Sequence, residues 1–435
     1  MIDIRLLREN PKVVQKSAKD KGIDVNIDSI LNFDKKAHEL SLSIQKLREE
    51  RNKLAKATSS AVDKKDIERG KKLKEQLHKE EKNLQKLNIE LQELLYQIPN
   101  IPAKDVPVGK DETGNKVIRK WGKPRTFDFE NKDHLDLGKF LDIIDVAHAA
   151  KIVGTRSYYL KGNLVLLEFA IIQYAFSVLT DEKILKNIAD RIEEGYSSKP
   201  FIPVIPPVMI RPDVFRKMAR IDPQEDRYYL SKDDLFLTGS AEHTLGPLHM
   251  DETILEKDLP IRYVGFSTSF RRESGTYGKD TRGILRVHQF DKIELETFTT
   301  PENSIKEQEF LVAIQEYLMQ SLELPYQVVM ICTGEMGGPD ARQVDIETWI
   351  PSQKRYRETH TADLMTDYQS RRLQTKTKRK DGKTEFVHMN DATAFAMPRL
   401  LIAILENYQQ KDGSIIIPKV LQSYTNFAKI SPKSS

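Results

Sequence analysis

The sequence predicts an α+β protein in which an N-terminal antiparallel two-helix coiled-coil arm precedes a larger domain with a mainly antiparallel sheet flanked by helices. Two observations support this fold class. Residues 35–95 of the 435-residue chain contain no proline and no aromatic residue, and their apolar positions recur every three or four residues. Several later segments instead alternate with period two, as half-buried strands do. We therefore expect domains at residues 1–105 and 106–435.

The coiled-coil prediction depends on two leucine-rich runs. The apolar positions are Ala37, Leu40, Ile44, Leu47 and Leu54 in the first run and Leu73, Leu77, Leu84, Leu87, Leu91 and Leu94 in the second. Arg51 and Glu80 are polar positions within these seams, and the polar stretch "ATSSAVDKKD" separates the runs. Two such helices fold back and bury each other's apolar stripe. At 1.5 Å per residue, an arm of ~25–30 residues extends roughly 40 Å.

A linker and an α+β domain follow the arm. The segment "YQIPNIPAKDVPVGKDETGN" contains Pro99, Pro102 and Pro107, which lack the amide proton that a helix needs. Beyond it we predict helices over 164–189, with a break near Thr180, and over 304–323. The predicted strands are "IRYVGFSTSF", "RVHQFDKIELETF", "YQVVMICTG" and "QVDIETWIP". Adjacent alternating strands with long connections favour an antiparallel sheet with helices packed on it.

Composition narrows the class of protein. The net charge of +4 permits an acidic partner without requiring one. A single cysteine, Cys332, excludes an internal disulfide and a thiolate metal cluster. The N-terminus is charged from its third residue and no long apolar run occurs, so we expect a cytoplasmic protein that does not bind a membrane. Neither G-x-G-x-x-G after a strand nor a Walker A loop is present.

The segment "SFRRESGTYGKDTRGILRVHQF", residues 269–290, contains a set of groups suited to a nucleotide. If strand geometry continues through it, Arg271 and Glu273 share one face, and the returning chain carries Arg286 and Phe290. Guanidinium groups bind phosphate oxygens bidentately, a carboxylate accepts from an exocyclic amine, and a phenyl ring stacks on a base. The segment thus fits a nucleoside triphosphate held without a P-loop. The alternative is an exposed hairpin joined by salt bridges.

Two further groups point to the same chemistry. Glu358 and Thr361 offer hard oxygen ligands, and Mg²⁺ is commonly bound by few protein oxygens together with substrate phosphates. Arg399 follows Pro398 in the first turn of a predicted helix, where the helix dipole also favours a phosphate. A further acidic group, Asp291, Glu294 and Glu296, follows Phe290. Taken singly, each group is equally compatible with an ordinary solvated surface.

Together these segments resemble a known family. "FRRE" with "RVHQF" is similar to the second signature motif of the class II aminoacyl-tRNA synthetases, near 267–298, and "AFAMPRLLIAILENYQQ" is similar to the third, near 387–408. "FIPVIPPVMI" resembles the first, near 195–210, which forms a dimer interface in that class. "GKDTRGILRVHQFDKIEL", "WIPSQKRYRET", "TDYQSRR" and "LENYQQKDGSIIIPKVL" resemble the seryl-tRNA synthetase family over nearly the whole chain.

The resemblance implies an enzyme that activates L-serine with ATP and transfers it from seryl-adenylate to the 3′ end of tRNA(Ser). It implies catalytic roles for Arg271, Glu358 and Arg399, and Mg²⁺ ligands at Glu358 and Thr361. It implies ATP binding by Arg271, Arg272, Glu273, Arg286, Val287, Phe290, Glu358, Thr359, His360, Thr361 and Arg399. Within that set, Arg271 would hold the α-phosphate, Glu273 the adenine amino group and Arg286 the γ-phosphate side, with Phe290 and Arg399 on either side of the adenine.

The resemblance further implies a serine pocket formed by Ser240, Ala241, Glu242, Arg271, Glu294 and Thr393. Three residues differ from the family pattern: Ser240 stands where threonine is usual, Thr393 where serine is usual, and Pro398 where glycine is usual. "ETHTADL" also replaces a serine-rich form. Both hydroxyl substitutions keep a group that donates and accepts, so recognition of a small hydroxylated amino acid can persist.

The resemblance also implies partners and leaves alternatives open. The arm would bind tRNA(Ser), with Lys53, Lys56, Lys64 and Lys65 near its tip as candidates, and the catalytic domain would form a homodimer. The basic run from Arg371 to Lys383 would face the acceptor stem or form a solvated hairpin. One alternative is a class II paralogue that activates a small amino acid for another acceptor. Others are a threonine or proline synthetase, which the arm disfavours, and a catalytically inactive tRNA-binding homologue.

Overall fold

The computed structural model describes residues 1–57, 64–274 and 282–432. The chain divides into two compact units, Met1–Ile101 and Pro102–Ser435. Most of the polar stretch between the two predicted arm helices, and the glycine-containing part of the charged loop after Ser274, lie outside the described residues.

The first unit is helical. Its helices are α1 (Ile4–Glu9), α2 (Pro11–Asp20), α3 (Ile27–Ala57) and α4 (Lys64–Gln97). The two long helices pair in antiparallel fashion, which confirms the predicted hairpin. Ile44, Leu73 and Leu77 are almost fully buried in the seam between them. The predicted polar position, Glu80, accepts a hydrogen bond of 3.0 Å from the Ser43 hydroxyl of the facing helix, so this position is satisfied across the seam.

Charged residues of the arm include an ion pair that joins its two long helices and four exposed lysines. Arg48 pairs with Glu81 of the facing helix at 2.7 Å, a contact that joins the two helices. The candidate tRNA-binding residues Lys53, Lys56, Lys64 and Lys65 are all exposed. These lysines are therefore accessible to a polyanion, whereas Arg48 is engaged within the arm.

The second unit is built on an eight-stranded sheet in which all neighbouring strands are antiparallel except the last pair. In sheet order its strands are β1 (Lys116–Trp121), β11 (Tyr326–Met330), β12 (Arg342–Ile350), β13 (Arg355–Thr366), β16 (His388–Ala396), β10 (Gln289–Thr299), β9 (Ile261–Phe270) and β4 (Ile202–Val204). All four predicted strand segments form strands of this sheet. The α+β prediction, with a mainly antiparallel sheet, is confirmed.

Smaller sheets surround the main one. They comprise β2 (Ile144–Asp145) with β3 (Tyr159–Leu160); β5 (Met209–Ile210), β6 (Tyr229–Leu230) and β7 (Leu235–Leu237); β8 (Thr253–Leu255), β14 (Lys376–Lys378) and β15 (Thr384–Phe386); and β17 (Ile415–Ile416) with β18 (Lys429–Ile430).

The second unit also contains helices that alternate with its strands along the chain. They are α5 (His134–Phe140), α6 (Val146–Ile152), α7 (Asn163–Leu179), α8 (Glu182–Ile192), α9 (Pro212–Lys217), α10 (Glu242–Leu245), α11 (Ser304–Ser321), α12 (Tyr368–Leu373), α13 (Met397–Asn407) and α14 (Gln422–Thr425). Helices α11 and α13 lie against the sheet and contribute fully buried residues such as Phe310, Ile314 and Leu401 to the main core.

The predicted break near Thr180 is present and has a local cause. Helix α7 ends at Leu179, and the Asp181 side chain caps α8 by accepting from the amides of Lys183 and Ile184 at 2.8 and 3.1 Å. Within the described ranges, no single helix is long and apolar enough to cross a membrane, although α7 and α8, which bend by 66° at this break, meet the length and composition test together.

The basic run from Arg371 to Lys383 folds as part of α12 followed by a hairpin of β14 and β15. Arg371 pairs with Asp367 at 2.8 Å, and Arg379 contacts the carboxylates of Glu256 and Glu302. Two of its arginines are thus paired within the unit, and a contact of this run with the acceptor stem stays a prediction.

Candidate active site

A cavity opens over the main sheet where β9, β10, β13 and β16 meet the start of α13. It is lined by Arg271, Glu273, Leu285, Arg286, Val287, Phe290, Lys292, Glu358, Thr359, Thr361, Thr393, Ala396, Pro398 and Arg399. Most of the predicted nucleotide-binding residues therefore come together. Two do not line it. Arg272 is exposed, with its guanidinium 5.1 Å from the Tyr228 ring, and His360 is buried against Phe395.

Arg399 and Glu358 form the central ion pair of the cavity. The Arg399 guanidinium donates to the Glu358 carboxylate at 2.7 Å and to its backbone carbonyl at 3.0 Å. Pro398 occupies the first turn of α13, where no amide proton is required, so its presence leaves Arg399 in place. Burial alone would raise the pKa of Glu358, but Arg399 outweighs it and lowers that pKa, and Glu358 in turn raises the pKa of Arg399. Both groups are held charged.

A β-bulge positions the two candidate Mg²⁺ ligands. Glu358 pairs with Glu347 of β12 and Thr361 pairs with Asp345, and the register shifts by one residue between them. Glu347 and Asp345 are two positions apart and share a face, so the extra residue brings Glu358 and Thr361 to the same side of the sheet. Without the bulge, residues three apart would face opposite sides. Both line the cavity.

Arg271, in the segment that resembles the second motif, contacts a backbone carbonyl and an aromatic ring. The Arg271 Nε donates to the Gly239 carbonyl at 3.1 Å, and its guanidinium carbon lies 5.3 Å from the centre of the Phe290 ring. Stacking on an aromatic face limits the orientation of the guanidinium plane. Phe290 is thus in contact with a cation on one side within the cavity.

The prediction that Arg271 and Glu273 share a strand face is wrong. Strand β9 ends at Phe270, and Glu273 adopts a φ of 54°, in the left-handed region that an L-residue other than glycine rarely occupies. Its carboxylate accepts from Arg286 at 3.3 Å and lies 3.9 Å from Arg156. The strained turn still brings both residues to the cavity, because the chain reverses there instead of continuing the strand.

The candidate serine-binding residues form a connected polar group beside the nucleotide residues. The Ser240 hydroxyl donates to Glu294 at 3.1 Å and accepts from the Lys292 ammonium at 2.9 Å, and Lys292 also pairs with Glu294. The Thr393 and Thr361 hydroxyls lie 3.4 Å apart. Of these residues, Lys292 and Thr393 line the cavity, while Ser240, Ala241, Glu242 and Glu294 are buried around it.

Burial and nearby cations have opposite effects on the pKa values of the two glutamates in this polar group. Burial raises the pKa of Glu294 to about 8, although Lys292 opposes the shift. Burial also favours the neutral form of Glu242, but the cations Lys292 and Arg220 outweigh it and lower its pKa. Two acids in one pocket are therefore held in different states by their neighbours.

Sequence reasoning missed two residues in this region. Lys292, which contacts both Ser240 and Glu294, received no role, although its position on the same strand face as Glu294 was a usable signal. Arg220 contacts Asp363 and Asp391. These contacts could not be predicted from local sequence, because 143 and 171 residues separate Arg220 from the two acids.

Comparison with protein families gives two matches. Residues 1–102 match the seryl-tRNA synthetase N-terminal domain, and residues 226–408 match the tRNA synthetase class II core domain (G, H, P, S and T).

Full-length relatives agree with these matches. The serine–tRNA ligase of Dictyoglomus turgidum is 39% identical over 100% of both chains, and that of Nitrosopumilus maritimus is 37% identical over 98% of both. The seryl-tRNA synthetase of Pyrococcus horikoshii, solved in complex with ATP, superposes with a TM-score of 0.89 at 37% identity and full coverage of both chains. The cytoplasmic serine–tRNA ligase of Naegleria fowleri, in complex with AMP, gives a TM-score of 0.86 at 29% identity, over 100% of this chain and 99% of that one.

Both family matches, the full-length identities and the cavity geometry agree, and the chain belongs to the seryl-tRNA synthetase family of class II aminoacyl-tRNA synthetases.

Proposed function

We propose that this chain activates L-serine with ATP to form seryl-adenylate and then transfers serine to the 3′ end of tRNA(Ser). The observation that carries the proposal is the convergence of Arg271, Phe290, Glu358 and Arg399 on one cavity, with the polar group of Ser240 and Glu294 beside it. Relatives of the same family have been solved with ATP and with AMP, which supports ATP as the substrate.

In this mechanism the cavity aligns the reactants and neutralises charge. The serine carboxylate attacks the α-phosphorus of ATP in line, and pyrophosphate leaves with the electron pair of the broken bond. Arg271 holds the α-phosphate, Arg286 the γ-phosphate side, and Phe290 and Arg399 enclose the adenine. Reactions of this kind need positioning and electrostatic stabilisation more than a protein nucleophile. No Ser–His–Asp or Cys–His set is required.

Glu358 and Thr361 are the proposed Mg²⁺ ligands. Among the residues that the structure describes, no cluster of three or more His, Cys, Asp or Glu side chains is arranged to bind a metal. One carboxylate and one hydroxyl on the same side of the sheet nevertheless match Mg²⁺, which keeps several waters and takes its other ligands from phosphates. Bound there, Mg²⁺ would supply charge neutralisation on the phosphates.

Serine specificity would come from the Ser240, Glu242, Glu294 and Thr393 group. Its buried hydroxyl and carboxyl groups are partly satisfied by one another and would complete their hydrogen bonds with a hydroxylated amino acid. A site of this kind rejects alanine strongly, because the buried polar groups would go unpaired.

The first test is amino-acid-dependent ATP–pyrophosphate exchange with serine, threonine, alanine and glycine compared side by side. We expect exchange with serine well above the others, followed by serylation of tRNA(Ser). Exchange without tRNA charging would support a paralogue with another acceptor. No exchange with any amino acid, from folded protein with Mg²⁺ present, would leave the inactive tRNA-binding alternative.

A homodimer formed through the catalytic domain, and a cytoplasmic location, belong to the same proposal. Strand β4 lies at the end of the main sheet, and Ile202 and Ile205 are 50 and 85% exposed. On α7, Leu166 and Phe169 are 50 and 62% exposed. Large apolar residues exposed on an edge strand and on a helix are suited to burial by a second copy of the chain. Light scattering that gave the mass of one chain at micromolar concentration would contradict the dimer.

The arm lysines give a separate prediction. Reversing the charge of Lys53, Lys56, Lys64 and Lys65 to glutamate should raise the KM for tRNA(Ser) about tenfold or more, because phosphate contacts are lost. The ATP–pyrophosphate exchange should stay unchanged, since the arm is not part of the cavity. Reversal of the exposed Lys12 and Lys19 on α2 serves as the control. Equal effects of the two charge reversals would reject a specific role for the tip.

A further inference from the structure

Glu294 and Thr393, which pair on neighbouring strands, form one row of the candidate serine site. A second row, made of acidic side chains, lies two positions further along these strands. Glu296 on β10 pairs with Asp391 on β16, which pairs with Asp363 on β13. Glu296 is two positions beyond Glu294, and Asp391 is two positions before Thr393, so the rows emerge on the same face. Glu296, Asp391 and Asp363 are only 0, 3 and 7% exposed. Three carboxyl groups are therefore buried side by side on adjacent strands.

The three acids are unequally compensated. The Arg220 guanidinium donates to Asp391 at 3.1 Å and to Asp363 at 3.3 Å, and it lies 3.3 Å from Asp340. Both carboxyl oxygens of Glu296 are buried and have no hydrogen-bond partner. A buried polar atom without a partner costs about 1–3 kcal/mol, and more when it is charged. Glu296 is thus the member of the row whose carboxyl oxygens take part in no hydrogen bond.

The surroundings of Glu296 contain more acids than cations. The groups around it are Lys292 and Glu294 on its own strand, Tyr263 on β9, Asp391 on β16, Asp363 on β13, Glu242 and His243 on α10, Asp340 before β12, and Arg220 after α9. Burial lowers the pKa of His243 to about 3, so that ring is neutral. Burial raises the pKa of Glu296 well above its ordinary value, and Asp391 raises it further. Burial and the neighbouring acids therefore both favour the neutral form of Glu296.

We infer that Glu296 is a positioning residue of the amino-acid pocket and acts through Glu294. Binding of an amino acid with an ammonium group is thereby coupled to the release of a proton from Glu296. The inference rests on the proposed function, which places serine at Glu294. While Glu296 is neutral, Glu294 keeps its contacts with Lys292 and Ser240 without an adjacent negative charge.

The coupling follows from charge balance. The α-ammonium group of serine adds a positive charge to a cluster in which carboxyl groups exceed cations, and a nearby cation favours the ionised form of an acid. The O–H bond of Glu296 breaks, its electron pair stays on the carboxylate, and the proton passes to solvent. No bond of the amino acid changes. Because the deprotonated form is stabilised by the ligand, serine binds more tightly as pH rises through this ionisation.

The test compares the wild type with Glu296→Gln, which keeps the shape of the side chain and removes its proton equilibrium. In ATP–pyrophosphate exchange, the wild-type KM for serine should fall as pH rises by about tenfold more than the KM of E296Q, equivalent to about one pKa unit of coupling. Burial raises the pKa of Glu294 to about 8 in the wild type, and Glu294 is present in both proteins, so only the difference between the two profiles reports on Glu296. The KM for ATP should be the same in both proteins.

Glu168→Gln is the matched control. Glu168 is also a buried acid, with a pKa raised to about 7 by burial and by Asp291, but it lies on α7 outside the row. Its variant should keep the wild-type pH dependence. Parallel pH profiles for the wild type and E296Q would overturn the inference, as would equal flattening in E168Q. Absence of serine-dependent exchange in the wild type would instead overturn the proposed function.

Titration calorimetry of the wild type needs no variant. Serine binding at pH 7, measured in two buffers with different ionisation enthalpies, should show net proton release. E296Q should release fewer protons. If E296Q does not fold, the absence of proton release from the wild type on serine binding would still overturn the inference.

Discussion

Replacement of Arg399 by alanine should lower kcat/KM for serine-dependent ATP–pyrophosphate exchange by about 10²-fold or more, because the adenine loses one of the two groups that enclose it and the nucleotide is held less well for reaction. The loss has two parts. The cation at the start of α13 disappears, and the Glu358 carboxylate loses its 2.7 Å partner inside the cavity. Without Arg399, burial is opposed only by the weaker effects of Arg271 and Arg286, so the pKa of Glu358 rises and this candidate Mg²⁺ ligand binds a proton more readily.

The matched control is Arg211→Ala. Arg211 is an exposed arginine that precedes α9 and lies outside the cavity lining, 3.5 Å from Asp213. This variant should exchange at the wild-type rate. Arg399→Lys should recover little activity, because an ammonium lacks the planar guanidinium face that would stack on the adenine. An R399A protein within tenfold of the wild type would show that Arg399 is not part of the reaction.

The largest effect on stability is expected at Arg262. Its guanidinium makes two hydrogen bonds to Glu307 on α11, at 2.7 and 2.9 Å, and both side chains are fully buried. It also donates to the carbonyls of Ser197 and Lys199, in the segment that leads to β4. Arg262→Ala leaves Glu307 as a buried charge without its counterion, so we expect a loss of about 3–5 kcal/mol in the free energy of unfolding.

A second arginine–glutamate pair on the same helix provides the comparison. Arg119 pairs with Glu316 of α11, but the Arg119 side chain is 46% exposed. Arg119→Ala should cost less than about 1 kcal/mol, since solvent screens such a pair. Denaturant unfolding followed by tryptophan fluorescence reports on this unit, because Trp121 and Trp349 both lie in it. Similar losses in the two variants would refute the argument from burial.

Local patterns were sufficient for most of the fold. The leucine repeats of the arm predicted α3 and α4, and alternation with period two predicted β9 and its neighbours. The break near Thr180 was predictable because Asp181 is a good helix cap. These features depend on residues that are close in the chain, and their physical causes are local.

The features of the fold and site that could not be predicted from the sequence depend on contacts between distant residues or on backbone geometry. The left-handed turn at Glu273 replaced an expected strand, and no local residue type requires it. Contacts around Arg220 join four segments that are far apart in the chain. The role of each candidate residue in catalysis and binding stays a prediction that the experiments above address.

The register shift in β13 determines whether Glu358 and Thr361 face the same side of the sheet. The one additional residue between Glu358 and Thr361 reverses the alternation of every position that follows it in the strand. Removing Thr359 would leave Glu358 and Thr361 two positions apart, and in a regular strand both would still face the nucleotide. Ordinary pairing of the full-length strand, without the bulge, would instead turn one of the two to the opposite face. The chemistry of this site therefore depends on how β13 pairs with β12 as well as on the identity of the two side chains.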